Sequence, residues 1–200
     1  MALSEQLIII MKYHFIFLMT GILLFSFSHS GAQIKKIDTT LKIGKAGYKL
    51  YCNNKSDKNI VSVNPIGFES TATEMSFYVT GKISKAEVDD FNNDGFPDMV
   101  IYVYSGTGGT MGTVYAMTSS QNKSVAPIMF PDVMDDAKLR TGYKGHDEFS
   151  LLQGSLVRKF PVYKPEDTDT PTGGKRVILY KMIVAEGAYK FKVINTYETK

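Results

Sequence analysis

The stretch Ile183-Val184-Ala185-Glu186-Gly187-Ala188-Tyr189-Lys190-Phe191-Lys192-Val193 decides the fold class of this chain. From Tyr189 to Val193 apolar and charged residues alternate strictly, which is typical of a strand with one buried face. Glu186-Gly187 separates two such runs, and glycine supplies the positive φ that a two-residue hairpin turn needs. Gln153-Gly154 predicts a second hairpin of the same kind. The chain is therefore built from antiparallel hairpins.

Strand-like runs recur along the rest of the chain, rich in β-branched and aromatic residues. They are Lys42–Cys52, Ile60–Val63, Ser76–Val79, Ile83–Phe91, Met99–Tyr104, Thr113–Thr118, Phe149–Leu152, Leu156–Tyr163, Arg176–Ala185 and Tyr189–Tyr197. Gln33–Leu41 reads as a polar lead-in, and only Met134–Arg140 predicts a short helix, with Asp132 or Asp135 as its cap. We expect an all-β, single-domain antiparallel β-sandwich or barrel of about eight strands, with at most one short helix.

The N-terminus has the order of a secretory signal. Lys12 and His14 precede an apolar run, Phe15–Phe27, which is followed by small residues. Cleavage after Ala32 would make residues 1–32 the signal peptide and residues 33–200 a single β domain, with Met1 or Met11 as the start. A membrane anchor is the alternative, but the run is short for a bilayer. We expect a periplasmic or secreted protein without membrane contact after signal removal.

Composition excludes several kinds of chemistry. The net charge of +3 is too small to indicate nucleic-acid binding. The lone Cys52 forms no internal disulfide, and His146 is the only histidine beyond the signal, which excludes zinc sites built from several His or Cys. No Gly-x-Ser-x-Gly elbow supports a serine hydrolase. We therefore expect a binding protein without a cofactor rather than an enzyme.

The sharpest local motif runs from Asp90 to Asp98. It matches Asp-x-Asn-x-Asp-Gly, in which oxygen ligands for calcium recur at every second position. Ile101 stands where an EF-hand requires a bidentate Glu, so an EF-hand is rejected. Two interpretations stay open. One is a calcium site with the candidate ligands Asp90, Asn92, Asp94 and Asp98. The other is a turn whose side chains cap backbone groups without an ion.

A small-residue loop follows the run Met99–Tyr104. It consists of Ser105, Gly106, Thr107, Gly108, Gly109, Thr110, Met111 and Gly112 and is called the Ser/Gly loop below. Its glycine spacing fails the dinucleotide fingerprint, because the third position falls on Met111 and a strand follows where a helix is required. The loop is either a mobile connection or a protruding segment that offers hydroxyl and backbone N–H groups to acidic groups in a partner's cleft.

A third segment, Gly142–Phe149, contains Tyr143, His146 and Asp147. A histidine beside an aspartate suggests acid–base chemistry. A lone histidine leading into a strand, however, is more often a structural residue that ties down neighbouring backbone. These three residues are therefore candidates for a structural or binding role.

Taken in order, these segments resemble the periplasmic inhibitors of i-type lysozyme. The resemblance covers roughly Val79–Val193. Its motifs are Val88–Asp98, the Ser/Gly loop, Gly142–Phe149, Leu156–Tyr163 and Pro171–Arg176. It implies a periplasmic antiparallel β-sandwich, active in bacterial defence as a monomer or homodimer, that inserts the loop Ser105–Gly112 into the active-site cleft of lysozyme.

One departure concerns that loop. The family pattern places a Ser and a Tyr where this chain has Gly108 and Met111. Ser105, Thr107 and Thr110 remain as sources of hydroxyl groups. The chain is then a weaker inhibitor, an inhibitor of another lysozyme class, or a member with a different partner. Two further hypotheses stay open: a calcium-stabilised β domain that binds glycans or envelope proteins, and a hydrolase.

Overall fold

The computed structural model describes residues 36–69 and 72–200. The predicted signal peptide, residues 1–32, lies outside the described residues, and so does the choice between Met1 and Met11 as the start. In the part that is described, no helix has the length and apolar character needed to cross a membrane.

The described residues form twelve strands and two single 3-10 turns. The strands are β1 (Ile37–Ile43), β2 (Ala46–Cys52), β3 (Lys58–Ile66), β4 (Met75–Thr80), β5 (Lys82–Asp89), β6 (Asp98–Ser105), β7 (Met111–Ser120), β8 (Ser124–Met129), β9 (Glu148–Leu152), β10 (Ser155–Pro161), β11 (Lys175–Ala185) and β12 (Ala188–Thr199). The 3-10 turns are Thr107–Gly109 and Val133–Asp135. The all-β prediction is confirmed, with more strands than the eight or so expected.

The strands form two sheets. The small sheet has the order β1-β2-β3-β4, and the large sheet has the order β5-β6-β7-β8-β12-β11-β10-β9. Neighbours are antiparallel except β8 and β12, which run parallel over two residue pairs. The large sheet curls into a nearly closed barrel. The N–H of Gly154, in the turn between β9 and β10, donates to Asp89 Oδ2 at the end of β5 over 3.3 Å.

Strand β6 is buried on both of its faces. Successive side chains of a strand point to opposite sides. Met99, Ile101 and Val103 therefore pack against the small sheet, in a cluster that includes the free Cys52. The alternate residues, including Tyr102, face the interior of the curled large sheet. β6 thus forms the wall between two hydrophobic cores, and its two ends carry the Asp90–Asp98 motif and the Ser/Gly loop.

Both predicted hairpins are confirmed. Ala185 pairs with Ala188 across Glu186-Gly187, and Leu152 pairs with Ser155 across Gln153-Gly154. All four turn residues have positive φ, with 54° and 76° in the first turn and 48° and 67° in the second. Two consecutive positive φ angles are those of a type I′ turn, whose twist matches that of the flanking strands.

The prediction of one strand over Lys42–Cys52 is wrong. A turn at Gly44-Lys45, with Gly44 at φ 61°, divides it into parts of β1 and β2. β1 also occupies most of the segment predicted as a polar lead-in. It is an edge strand that is half-buried at alternate residues only, so its polar composition hides its pairing.

Two further predictions need correction. β8 was missed because Pro127 lies within it, and proline argues against a strand. The helix over Met134–Arg140 is also wrong, since the chain there forms only the 3-10 turn Val133–Asp135 and a series of turns. The predicted cap is present, since Asp132 Oδ1 accepts from the Met134 N–H. Asp136 then accepts from two following amides and so competes with helical hydrogen bonds.

Candidate functional site

The Ser/Gly loop joins β6 to β7 and is exposed at its tip. Gly106 to Gly109 are exposed, while Ser105 and Thr110 are half-buried. The N–H of Gly109 donates to the Gly106 carbonyl over 3.1 Å and closes the 3-10 turn. The loop is thus short and internally turned, with its small residues accessible from solvent.

Two glycines serve different purposes in this loop. Gly108 has φ 67°, and a Cβ atom there would meet no other atom within 4 Å, so its backbone conformation is what favours glycine. A Cβ on Gly112, by contrast, would lie 2.7 Å from the Asp147 Cβ and 2.7 Å from a ring carbon of Phe149. Gly112 is therefore required by the packing at the base of the loop.

The loop hydroxyls are only weakly engaged within the chain. Ser105 Oγ donates to the Met111 carbonyl over 3.4 Å, and Thr110 Oγ1 donates to the Thr107 carbonyl over 3.3 Å. Both distances are at the long end for hydrogen bonds between oxygens. The exposed Thr107 hydroxyl makes no hydrogen bond to any described residue. A partner can therefore engage these hydroxyls at little cost.

The structure brings the Gly142–Phe149 segment against this loop. The N–H groups of His146 and Asp147 both donate to the Thr110 carbonyl, over 2.6 and 3.4 Å. The imidazole of His146 is itself exposed and lies 6.5 Å from the Tyr163 ring, centroid to centroid. His146 thus contributes its backbone to the loop, in the structural role that the sequence favours.

Asp147 connects the base of the loop to a buried cation. Its Oδ2 accepts from the Gly112 N–H over 2.7 Å and from the Tyr143 hydroxyl over 2.6 Å. Its Oδ1 accepts from Arg158 Nε over 2.7 Å. The Asp147 side chain is fully buried, and 3% of the Arg158 side chain is exposed. Breaking such a buried pair is costly, so the base of the loop is held firmly.

Arg158 completes this network from β10. It donates to the Gly112 carbonyl over 3.3 Å and to the Tyr143 hydroxyl over 2.8 Å. The guanidinium lies 5.1 Å from the centre of the Tyr143 ring and 5.5 Å from that of Phe149. Burial lowers the pKa of Arg158, but the hydrogen bond and the charge of Asp147 outweigh burial and raise it. The guanidinium therefore stays charged.

Arg158 is the site residue that sequence reasoning missed. It lies in β10 between Leu156 and Phe160, which are both buried. Because every second side chain of a strand shares a face, these two residues place Arg158 in the core. A charged residue in phase with two buried apolar ones was the available signal. Its partner Asp147 lies eleven residues earlier, and the sequence around Asp147 does not indicate that the two residues pair.

Cavities lie on both sides of the loop. One of about 610 Å³ is bounded by the loop glycines, by Asp57 and Lys82, and by the start of β1. The other, of about 360 Å³, lies between the loop and the Phe130–Met134 segment, with Tyr143 and Arg158 in its wall. Residues of the loop thus line both cavities.

The Asp90–Asp98 motif is closed by its own side chains. Asp90 accepts from the N–H groups of Asp94 and Gly95 over 3.0 and 2.8 Å. Asp94 accepts from the Phe96 N–H over 2.9 Å and from Asn92 Nδ2 over 2.8 Å. Among the described residues, no group of three or more His, Cys, Asp or Glu is placed to hold a metal ion. The contacts are those of a capped turn, and the calcium site stays the other interpretation of the motif.

Asp98 differs from the other candidate calcium ligands because it is fully buried. Its carboxylate accepts from the Phe91 N–H over 2.8 Å and from the Ser119 N–H over 3.1 Å. Burial, helped by the nearby charge of Asp94, raises the pKa of Asp98 to about 6, against the opposing effect of these hydrogen bonds. Asp98 therefore fastens the motif to β7.

Comparisons with protein-family models, with curated proteins and with solved structures find no match to this chain. The resemblance to the i-type lysozyme inhibitors therefore depends on the sequence motifs alone.

Proposed function

We propose that this protein is exported to the periplasm and inhibits lysozyme of the i-type by inserting the loop Ser105–Gly112 into the active-site cleft. The observation that carries the proposal is an exposed tip on a base that is held by buried hydrogen bonds. Gly106 to Gly109 are open to solvent, whereas Gly112 is bound on both its N–H and its carbonyl by the buried Asp147–Arg158 pair. A loop that is already ordered loses little conformational entropy on binding.

The chemistry of the loop suits the cleft of a lysozyme. Such enzymes flank the sugar bond with two carboxyl groups. Thr107 and the exposed glycines offer a hydroxyl and backbone groups, and no residue from Ser105 to Gly112 carries an acidic group that would repel these carboxylates. Met111 stands where the resembling family has Tyr, and 37% of it is exposed. It would contribute apolar contact in place of a phenol.

The test is a titration of the mature protein into i-type, c-type and g-type lysozymes while cell-wall lysis is followed. We expect inhibition of the i-type enzyme, and the variant Thr107→Glu to weaken it at least tenfold, because a carboxylate enters the acidic cleft. Thr170→Glu is the matched control, since Thr170 is exposed in a different loop. Equal inhibition by both variants, or no inhibition of any class, contradicts the proposal.

A further inference from the structure

The outer edge of β4 has no hydrogen-bonding partner in the described ranges. β4 has the sequence Met75-Ser76-Phe77-Tyr78-Val79-Thr80 and pairs with β3 in an unbroken register. β4 contains no charged residue, no proline and no bulge. Each of these features usually protects an edge strand against pairing with another chain. The other sheet edges carry charges: Asp38 and Lys42 on β1, Lys82, Lys85, Glu87 and Asp89 on β5, and Glu148 on β9.

A groove of about 600 Å³ runs along this same edge. Its walls are Met75, Ser76, Phe77 and Tyr78 of β4, Thr113 to Met117 of β7, Pro127 and Ile128 of β8, and Phe130. None of these residues is charged. The unpaired backbone groups of β4 thus border a groove that favours uncharged and apolar side chains.

The groove exists because the small sheet covers only part of the large one. Phe77 of β4 stacks on Tyr115 of β7, with ring centres 5.7 Å apart. β8 pairs with β7 on its far side and so extends beyond the cover that β4 provides. One more strand beside β4 would lie over β7 and β8, with its inward side chains in the groove.

The same arrangement decides what can occupy the groove. A second copy of this chain would bring its own large sheet in the layer beneath its β4. If two β4 strands paired edge to edge, that large sheet would collide with β7 and β8. An extended segment without a second layer of its own meets no such obstacle.

We propose that β4 and this groove bind an extended, uncharged polypeptide segment of a partner protein as a fifth strand of the small sheet. Backbone hydrogen bonds to β4 supply affinity, and apolar side chains at every second position fill the groove. This activity goes beyond lysozyme inhibition and uses a different surface from the exposed tip of the Ser/Gly loop.

The test uses three end-blocked octapeptides in which Thr alternates with Val, Leu or Phe, and a fourth in which Thr alternates with Lys. Calorimetry with the mature protein is expected to give a Kd between about 1 μM and about 1 mM for at least one apolar peptide and no binding of the Lys peptide. Hydrogen exchange is expected to slow at alternate amides of β4, since only those face the added strand.

Variants on β8 locate the binding. Pro127 is exposed in the wall of the groove, so Pro127→Lys is expected to weaken peptide binding at least tenfold. Met129 is 63% exposed two residues further along and lies outside the groove walls, so Met129→Lys is the control and leaves affinity unchanged. Equal affinity in the two variants overturns the proposal.

Three other results also overturn it. The first is the absence of binding by every apolar peptide at about 1 mM. The second is peptide binding that leaves the exchange of the β4 amides unchanged. If a short alkyl detergent binds in the same way, the groove takes an acyl chain and not a strand. The third is a homodimer in which β4 is already protected, because the occupant is then a second copy.

Discussion

The two loops at the ends of β6 are built in opposite ways. In the Asp90–Asp98 motif, side chains cap amides a few residues away, so that loop supplies most of its own structure. In the loop Ser105–Gly112, internal hydrogen bonds are few and long, and the firm contacts come from the distant residues Asp147 and Arg158. A self-capped loop uses up its polar groups. A loop held from its base leaves the polar groups at its tip free for a partner.

The largest effect is expected from breaking the base of the Ser/Gly loop. Asp147→Ala leaves Arg158 buried without its partner and the Gly112 amide without its acceptor. We expect the free energy of unfolding to fall by about 3–5 kcal/mol, as for other buried ion pairs that lose one partner. Urea denaturation followed by circular dichroism measures this loss.

The double variant Asp147→Ala/Arg158→Met is the control for this prediction. Removing the stranded charge is expected to restore part of the lost stability, because the methionine fits among the aromatic rings around Arg158. A loss below about 1 kcal/mol in Asp147→Ala would show that the buried pair does not hold the loop.

The next effect concerns Asp98, the buried end of the self-capped motif. Its pKa rises from 3.8 to about 6 on folding, so folding favours its protonated form. The protonated Asp98 therefore adds to the free energy of unfolding. This contribution is complete below pH 3.8 and is lost as the pH rises through about 6. The shift corresponds to about 3 kcal/mol.

Denaturation of the wild type and of Asp98→Asn across this pH range tests the shift. The stability of the wild type relative to the variant is expected to decline as the pH rises from about 3.8 to about 6, and most steeply midway, near pH 5. Asp90→Asn is the control, since Asp90 is the half-buried first residue of the same motif. A constant difference between wild type and Asp98→Asn would show that Asp98 titrates normally.

The contrast between the loops also explains what the sequence predicts and what it does not. Gln153-Gly154 and Glu186-Gly187 were predictable because a two-residue turn depends on the residues within it. The capping role of Asp90 and Asp94 was predictable as one of two alternatives for the same local reason. The pairing of Asp147 with Arg158 was not, since it joins two separate segments and depends on the packed core.

The smallest effect is expected from calcium. Because the carboxylates of Asp90 and Asp94 already accept backbone N–H groups, we expect added calcium to leave the melting temperature unchanged. Asp90→Ala is expected to cost about 1 kcal/mol through its lost caps, with or without calcium. A rise in melting temperature with calcium that is absent in Asp90→Ala and Asp94→Ala would instead establish a calcium site.

Competition with a cleft-filling sugar tests most directly whether the Ser/Gly loop occupies the active site of lysozyme. The affinity of the mature protein for an i-type lysozyme is measured with increasing amounts of an N-acetylglucosamine oligomer that fills the cleft. If the loop occupies that cleft, the apparent Kd rises linearly with the oligomer concentration from its value without oligomer. An apparent Kd that stays constant would place the contact elsewhere on the enzyme and contradict the account.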